Sequence, residues 1–367
     1  MHIVIDARNR PSSTGRYTDR LLQHLQKLDT INAYTILLQP SDSWRPTVEN
    51  FTTLPCPYAQ FSFNPAEQIG FARLLHSLKP DLVHFTMTQQ PLLYFGNIVT
   101  TTHDLTMLRF TRAGRHHRIY HEVRMVLYRL MFWWSHKKST KIIVPTNFVA
   151  QDLANLQPFT KAKTTVTYES SEPPIKASGT PLKGVGKQFI LHVGSPFPHK
   201  NIPHLITTFE QLQATYPKLQ LVLAGKKEYY FEQLQKRIDT SHAKENIIVP
   251  GFISDAELKW LYQHASCYAL PSLSEGFGLP GLEAMAHGCP LVSSNATCLP
   301  EVYGDAALYF NPNDVEDIAL KIERVLRDKQ FAKELVARGK KQLEKYSWER
   351  MAQQTLDVYN QAINGRP

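Results

Sequence analysis

Several features of exported, membrane-spanning or metal-stapled proteins are missing from this sequence. Only four of its 367 residues are cysteine (Cys56, Cys267, Cys289 and Cys298), no two form a C-x-x-C pair, and all lie in otherwise apolar stretches. A disulfide framework and a cysteine-built zinc site are therefore not expected, and free buried thiols in a reducing compartment are. No run approaches the roughly 18 uncharged apolar residues that a membrane-crossing helix needs. The opening MHIVIDARN has no basic segment followed by a long apolar one, so it does not read as a signal peptide, and a cytoplasmic location is expected. Self-similarity at solenoid spacing is absent. No nucleic-acid-binding module is visible, so nucleic acid is not an expected partner.

What is present is an ordinary globular composition, 43% apolar and 11% aromatic, with 24 prolines and 17 glycines scattered along the chain. At roughly 100–200 residues per domain, the length suggests two domains, each able to bury a core. The net charge of +9 is unevenly spread. Arg109–Lys141 holds nine basic residues (Arg109, Arg112, Arg115, Arg118, Arg124, Arg129, Lys137, Lys138 and Lys141) against the single acid Glu122. Phe110, Tyr120, Tyr128, Phe132, Trp133 and Trp134 are interleaved with them. This mixture suits an anionic, partly apolar surface such as a lipid headgroup layer, which would make the protein peripheral to a membrane. It equally suits a solvated helix whose aromatics face the core.

Strand and helix patterns alternate along most of the chain. His2–Asp6 is a short apolar run, followed by a loop up to Gly15 and then a helical pattern in Tyr17, Leu21, Leu22, Leu25 and Leu28. Tyr34–Leu38, Leu82–Phe85, Ile98–Thr102 and Lys141–Pro145 read as further strands. Around residues 176–188 the composition shifts to Gly, Pro, Ser and Lys without apolar periodicity, as in an interdomain linker. A second series then runs from the strand Phe189–Val193 to the strand Pro290–Ser293, with helical patterns at Ile202–Tyr216, Tyr230–Thr240, Asp255–Ala265 and Pro280–His287. The expectation is an α/β protein: a Rossmann-like domain over 1–175, a linker at 176–188 and a second Rossmann-like domain over 189–345. In such sheets ligands bind beyond the carboxyl ends of the strands. Neither half carries G-x-G-x-x-G after its first strand, which weighs against a standard NAD or FAD site.

The segment Ser272–Glu283 (SLSEGFGLPGLE) carries the chemistry. Gly276, Gly278 and Gly281 permit a sharp turn and close approach to a ligand, and Pro280 stands where a helix should start. A glycine-rich loop feeding a helix N-terminus suits a phosphate, because free N–H groups and the helix dipole both favour an anion. A plain tight turn with Glu283 stabilising the first helical turn fits these physical requirements about as well.

Spacing separates the two readings. Seven residues separate Glu275 from Glu283, among them GFG and Pro280, which resembles the EX7E signature of the retaining glycosyltransferases of family GT4. The resemblance extends to Ile5–Ala7 with Gly15–Tyr17, His103–Leu105 (HDL), Val193–Asn201 (VGSPFPHKN), Leu221–Gly225, Pro250–Ile253 with Leu258, and Leu299–Phe310. It implies a GT-B fold, two Rossmann-like domains with parallel sheets facing across a cleft, the first binding acceptor and the second the nucleotide sugar. It also implies that residues 346–367 return as a helix to the first domain, with Trp348 as a packing anchor.

Roles follow from the resemblance position by position. Glu283 would accept hydrogen bonds from the ribose, and Glu275 would lie by the transferred sugar. Backbone amides of Phe277, Gly278 and Leu279 would hold sugar hydroxyls and the diphosphate, with Gly276 also at the donor. Lys200 would offset the charge on the departing diphosphate. Relatives carry Arg beside that Lys or shortly after Gly194, whereas His199 and Ser195 stand here; His199 supplies a second cation only when protonated, and an imidazole's ordinary pKa is about 6.5. His103 would face the sugar, and Gly15 would lie opposite the diphosphate. Phe252 and Ile253 would meet the base, and Lys226 is either a further phosphate ligand or a plain turn lysine. Arg16 could reach a phosphate or solvent, and Asn147 matches a polar strand-end position.

The reaction so implied moves a hexosyl group, with GDP-mannose the favoured donor over UDP sugars, to a glycan or lipid-linked acceptor in cell-surface polysaccharide or glycolipid synthesis. Neither a bound metal nor any other cofactor is expected, and no D-x-D pair stands in a suitable setting. A glycosidase-like double displacement would need two carboxyl groups about 5 Å apart at one anomeric carbon; with Glu283 on the ribose, a same-face substitution is implied instead. A sugar-nucleotide epimerase of the same fold is the rival, and it would turn over donor without acceptor.

Overall fold

The computed structural model describes residues 1–10, 15–110, 118–226 and 230–365. The chain forms two units, the first from residues 1–169 with the segment from Ser347 onward, the second from Ser170–Tyr346. Strands β1 (His2–Asp6), β2 (Ala33–Leu38), β3 (Phe51–Pro55), β4 (Leu82–Phe85), β5 (Ile98–Thr101), β6 (Lys141–Val144) and β7 (Thr164–Val166) build the first sheet. Their order is β3-β2-β1-β4-β5-β6-β7, and every pairing is parallel. The order reverses beside β1, which is where a doubly wound sheet opens a ligand crevice. Ile3, Val4 and Ile5 on β1, and all four residues of β4 and of β5, are buried, as befits strands covered on both faces.

Helix Gly15–Leu28 follows β1 and turns Tyr17, Leu21, Leu22 and Leu25 inward, none more than 3% exposed. At about 1.5–3 kcal/mol for each large apolar side chain fully buried, that stripe fixes the helix on the sheet. It packs against the last helix, Trp348–Asn364, which begins on a Ser347 cap and buries Met351, Ala352, Val358, Tyr359 and Ala362. The Tyr359 hydroxyl meets His84 Nδ1 at 2.6 Å, and Asn97 Nδ2 donates to the Ala362 carbonyl at 3.1 Å.

The second sheet holds β8 (Phe189–Val193), β9 (Gln220–Ala224), β10 (Ile247–Gly251), β11 (Cys267–Leu270), β12 (Leu291–Ser294) and β13 (Ala307–Phe310). Its order is β10-β9-β8-β11-β12-β13, again parallel throughout, with the reversal beside β8. Its core takes in Ile190, Leu205, Phe209, Leu221, Val292 and Ile322. All four cysteines are free and buried.

The boundary between units differs from the one composition suggests. The first unit ends at Glu169, and the stretch 176–188 lies on the second unit. Thr180 N donates to the Ala256 carbonyl, Gly186 N to Gln220 Oε1, and Gly179 packs on Trp260. The Gly/Pro-rich stretch is therefore an irregular strap with its own hydrogen bonds, which satisfies its backbone without any apolar periodicity. At the far end, Tyr346 stays with the second unit because its hydroxyl donates to the Val302 carbonyl and its ring meets Phe277 edge-on.

Candidate active site

On the second unit the expected donor residues follow the carboxyl ends of β8, β9, β10 and β11. Gly194 N donates to the Ala224 carbonyl at 2.9 Å, and Gly225 N to the Gly251 carbonyl at 3.3 Å. A Cβ on Gly225 would run into the Gly194 carbonyl, so two adjacent strand ends close together only because that residue is glycine. Gly194 and Ser195 leave β8, Lys226 leaves β9 with an exposed side chain, and Phe252 and Ile253 follow β10, Phe252 being 83% exposed.

The loop after β8 turns back through a short helical turn, Pro198–Lys200, and Asn201 at φ 57°. Asn201 Nδ2 donates to the Pro312 carbonyl, and the His199 carbonyl accepts from Leu273 N at 2.7 Å. The first bond ties the loop to the segment that follows β13, and the second ties it to the segment that follows β11, which brings Lys200 to Glu275, where Nζ donates to Oε1 at 2.7 Å. The His199 ring stacks on Phe197. Glu275 is pinned at its backbone too, its N donating to Thr297 Oγ1 and its carbonyl accepting from Cys298 Sγ. Burial, the largest single influence, would raise the Glu275 carboxyl's pKa, but the Lys200 charge and hydrogen bond, with smaller contributions from its other neighbours, together outweigh it and hold the group below the ordinary carboxylate value.

Helix Leu279–Ala286 starts on Gly278, which sits at φ 86° and offers the first turn no side-chain cap. Pro280 lies within that first turn. A Cβ on Gly278 would meet the Tyr303 hydroxyl and Leu299, and one on Gly281 would meet the Tyr303 ring. Tyr303 donates to the Gly278 carbonyl. The glycines are thus already required by the protein's own packing, a partner that sequence spacing gave no sign of. Phe277 is buried, and the half-buried Glu283 accepts from the Tyr262 hydroxyl at 3.3 Å.

His192 was not anticipated. It is 1% exposed on β8, and its Nδ1 lies 2.9 Å from the Ala269 carbonyl, which makes that nitrogen the donor. Its Nε2 has no hydrogen-bond partner and faces the backbone at Gly194. Burial lowers its pKa to about 4, so the ring is neutral at pH 7. Only its place in the alternation of FILHV hinted that it points into the sheet's interior.

On the first unit, His103 stands just past β5. Its Nε2 is 3.0 Å from the Thr86 carbonyl and its Nδ1 is 3.2 Å from Glu169 Oε1. Both partners are acceptors, so the two contacts are satisfied together only when each ring nitrogen carries a proton. Burial would lower this imidazole's pKa; the Glu169 and Thr86 hydrogen bonds outweigh it and leave it above 6.5. His84, buried on β4 between Tyr359 and Thr101, is pushed down to about 3 by burial and then by the charge of His103. The neighbouring Asp104 caps the turn at Thr106, and Tyr17 meets the His103 ring edge-on. Gly15 opens the first helix, where a Cβ would strike the Arg10 backbone, so its glycine too has an internal cause. Asn147 lies in the first turn of a helix capped by Thr146 and donates to the Tyr168 hydroxyl.

Comparison with known proteins places this geometry. Residues 14–169 match the model of Glycosyltransferase Family 4, and residues 177–342 match that of Glycosyl transferases group 1. The chain is 37% identical over 172 residues to O-antigen chain mannosyltransferase B of Escherichia coli, covering 47% of this chain and 45% of that protein. It is 29% identical over 231 residues to O-antigen chain mannosyltransferase RfbU of Salmonella typhimurium, covering 61% and 64% of the two. The aligned segments thus span less than two thirds of either relative. Sucrose-phosphate synthase from Thermosynechococcus elongatus shares the fold, with a TM-score of 0.77, 18% identity and all of both chains covered. Two parallel Rossmann-like sheets and matches that between them run from residue 14 to residue 342 with one short gap lead to one assignment: the chain is a member of glycosyltransferase family 4, with a GT-B fold.

Proposed function

We propose that the protein moves a hexosyl group from a nucleotide sugar to a hydroxyl of a glycan or lipid-linked acceptor in polysaccharide or glycolipid synthesis. Transfer proceeds with retention at the anomeric carbon and without a metal or other cofactor. The observation that carries this reading is the Lys200–Glu275 pair, held by two separate loops at the carboxyl end of the second sheet. A desolvated ammonium at that place suits the diphosphate, whose negative charge grows as the sugar departs. The helix that begins at Leu279 adds the favourable end of its dipole. Glu283, oriented by Tyr262, suits a ribose diol, and the exposed Phe252 suits a nucleobase face. His103, whose two nitrogens already face the Thr86 carbonyl and Glu169, would meet a sugar oxygen by exchanging one of these bonds as a donor, and it has no free nitrogen to serve as a base. With no second carboxylate assigned to the anomeric carbon, the leaving phosphate oxygen takes the acceptor's proton.

GDP-mannose is the donor we favour, because the relatives above are named mannosyltransferases. Thermal unfolding in the presence of GDP-mannose, UDP-glucose, UDP-N-acetylglucosamine and ADP-glucose tests the assignment, since a ligand that binds only the folded state raises Tm by mass action. GDP-mannose should raise it most. A shift with UDP sugars alone would replace the donor, and no shift with any nucleotide sugar would overturn the reading. Glu283→Ala should abolish the shift while leaving the unliganded Tm close to wild type. Donor converted to an epimer with no acceptor present would favour the epimerase instead.

A further inference from the structure

The basic and aromatic stretch Arg109–Lys141 divides into two faces on helix Arg118–Lys138. Arg112 and Arg115 lie outside the described residues, as do the side chains of 118–120, and Arg109 is paired with Asp152. One face of the helix packs inward through Met125, Tyr128, Met131 and Phe132, so part of the aromatic content is core. The opposite face is not polar. Val123, Val126, Leu127, Leu130 and Trp133 are between 40% and 58% exposed, at spacings that form one stripe. Leu93 and Phe95 on the neighbouring loop are 54% and 62% exposed. Among the described residues these seven are more than half of the thirteen exposed large hydrophobic side chains, so they form a patch and not a scatter.

The patch is continuous and edged with cations. Trp134 Nε1 donates to the Leu92 carbonyl, and the Trp134 ring meets Phe95 edge-on at 6.3 Å. Lys137 lies 5.2 Å over Phe159, which meets Trp133 edge-on. Lys138 and Lys163 also lie over Phe95 and Phe159, but their ammonium groups donate to backbone carbonyls, of Pro91 and Tyr94 and of His136 and Ser139, so they belong to the fold and not to the cationic edge. Arg124 and Arg129 are exposed beside the stripe, with Glu122 the single acid on that side of the helix.

We infer that this face docks on an anionic lipid bilayer, with the stripe and Phe95 at the acyl boundary and the exposed Arg124, Arg129 and Lys137 at the headgroup level. A second copy of the chain is disfavoured as occupant, because a twofold contact would set the same cations against each other. A neutral apolar partner would leave them unmatched. An exposed lysine seated on an aromatic ring, as Lys137 is on Phe159, suits the polar edge of a membrane, where the ring is half wet and the ammonium meets phosphate. No helix among the described residues is long and apolar enough to cross a membrane, so this one lies along the surface.

The test needs no donor and so stands apart from the proposed reaction. The full chain is sedimented with vesicles of phosphatidylcholine, with and without phosphatidylglycerol. Binding should require the anionic lipid, fall with added salt, and drop roughly fivefold for Lys137→Gln, the weight of one surface cation. Leu130→Glu and, on the separate loop, Phe95→Ser should each weaken it further at unchanged Tm, and Ile31→Glu, an exposed apolar site elsewhere, should leave it intact. Equal binding to neutral vesicles, no binding to anionic ones, or wild-type binding by both Leu130→Glu and Phe95→Ser would overturn the inference. So would a wild-type dimer in light scattering that Leu130→Glu converts to monomer, which would make the face a self-association surface.

Discussion

Two ion pairs, one in each unit, respond oppositely to pH. Lys200 and Glu275 are 16% and 11% exposed at their side chains, so the carboxylate depends on the ammonium for its charge. Because the folded-state pKa of Glu275 is depressed, the pair's stabilisation is present above the ordinary carboxylate value of 4.5 and is lost as pH falls through the folded-state value. Lys200→Met should therefore cost about 3 kcal/mol at pH 7, the usual loss when one partner of a buried pair is removed, and flatten the acid limb of stability measured by denaturant titration. An acid limb identical to wild type would show that the pair is not coupled. His103 behaves in reverse. Its pKa is raised in the fold, so its contribution is full below 6.5 and fades as pH rises through the folded-state value. Glu169→Gln should lower the pKa of His103 by NMR and shift the alkaline limb of the rate profile to lower pH, without loss of fold. An unmoved His103 titration would show Glu169 to be a bystander. The sequence alone could bring out Lys200, Glu275 and His103 as a motif, but not that the Lys and Glu touch or that Glu169 holds the His. Those partners lie 75 and 66 positions apart, and no local pattern reports such contacts.

Elements were legible in proportion to how much each one buries. Strands in the middle of a sheet are continuous apolar runs, so His2–Asp6, Leu82–Phe85 and Phe189–Val193 stand out from the order of their residues alone. The edge strands do not. Phe51–Pro55 and Thr164–Val166 are short and half-exposed, each with two threonines, and their pairing rests on a neighbour rather than on an apolar pattern of their own. The glycine-rich turn before helix Leu279–Ala286 was legible as a turn, but not as a socket for Tyr303. That socket makes a prediction at this scale. Gly278→Ala must adopt φ 86° and displace the Tyr303 hydroxyl, and should cost about 2–4 kcal/mol from left-handed strain and overpacking together. Tyr303→Phe removes a hydroxyl that satisfies the Gly278 carbonyl and should cost about 1–3 kcal/mol. In the double variant the clash is relieved, so the two costs should sum to more than the observed loss; strict additivity in urea unfolding would mean that the residues do not share a contact.

For the whole molecule, two parallel sheets follow from the alternation of strand and helix patterns, but the first unit is assembled from both ends of the chain. Helix Trp348–Asn364 covers β4, β5 and β6, and its Tyr359 hydroxyl completes a buried polar chain through His84 and Thr101 to Tyr17. Met351 and Tyr359 are fully buried and Val358 is 1% exposed; at about 1.5–3 kcal/mol apiece, these three alone approach the net stability of a typical domain. A chain cut after Tyr346 would also take away the His84 imidazole's Tyr359 partner and open that face of β4 to water. The second unit loses nothing from its own core in that truncation, because Ile190, Phe209, Leu221 and Ile322 all come from within Ser170–Tyr346. Hydrogen exchange on the truncated chain should therefore show β4 and β5 deprotected towards the rate of open backbone, while β8, β9 and β11 keep wild-type protection. If β4 and β5 stayed protected, the first sheet would be stable without the returning helix, and the polar chain from Tyr359 to Tyr17 would be an ornament of the fold and not a condition of it.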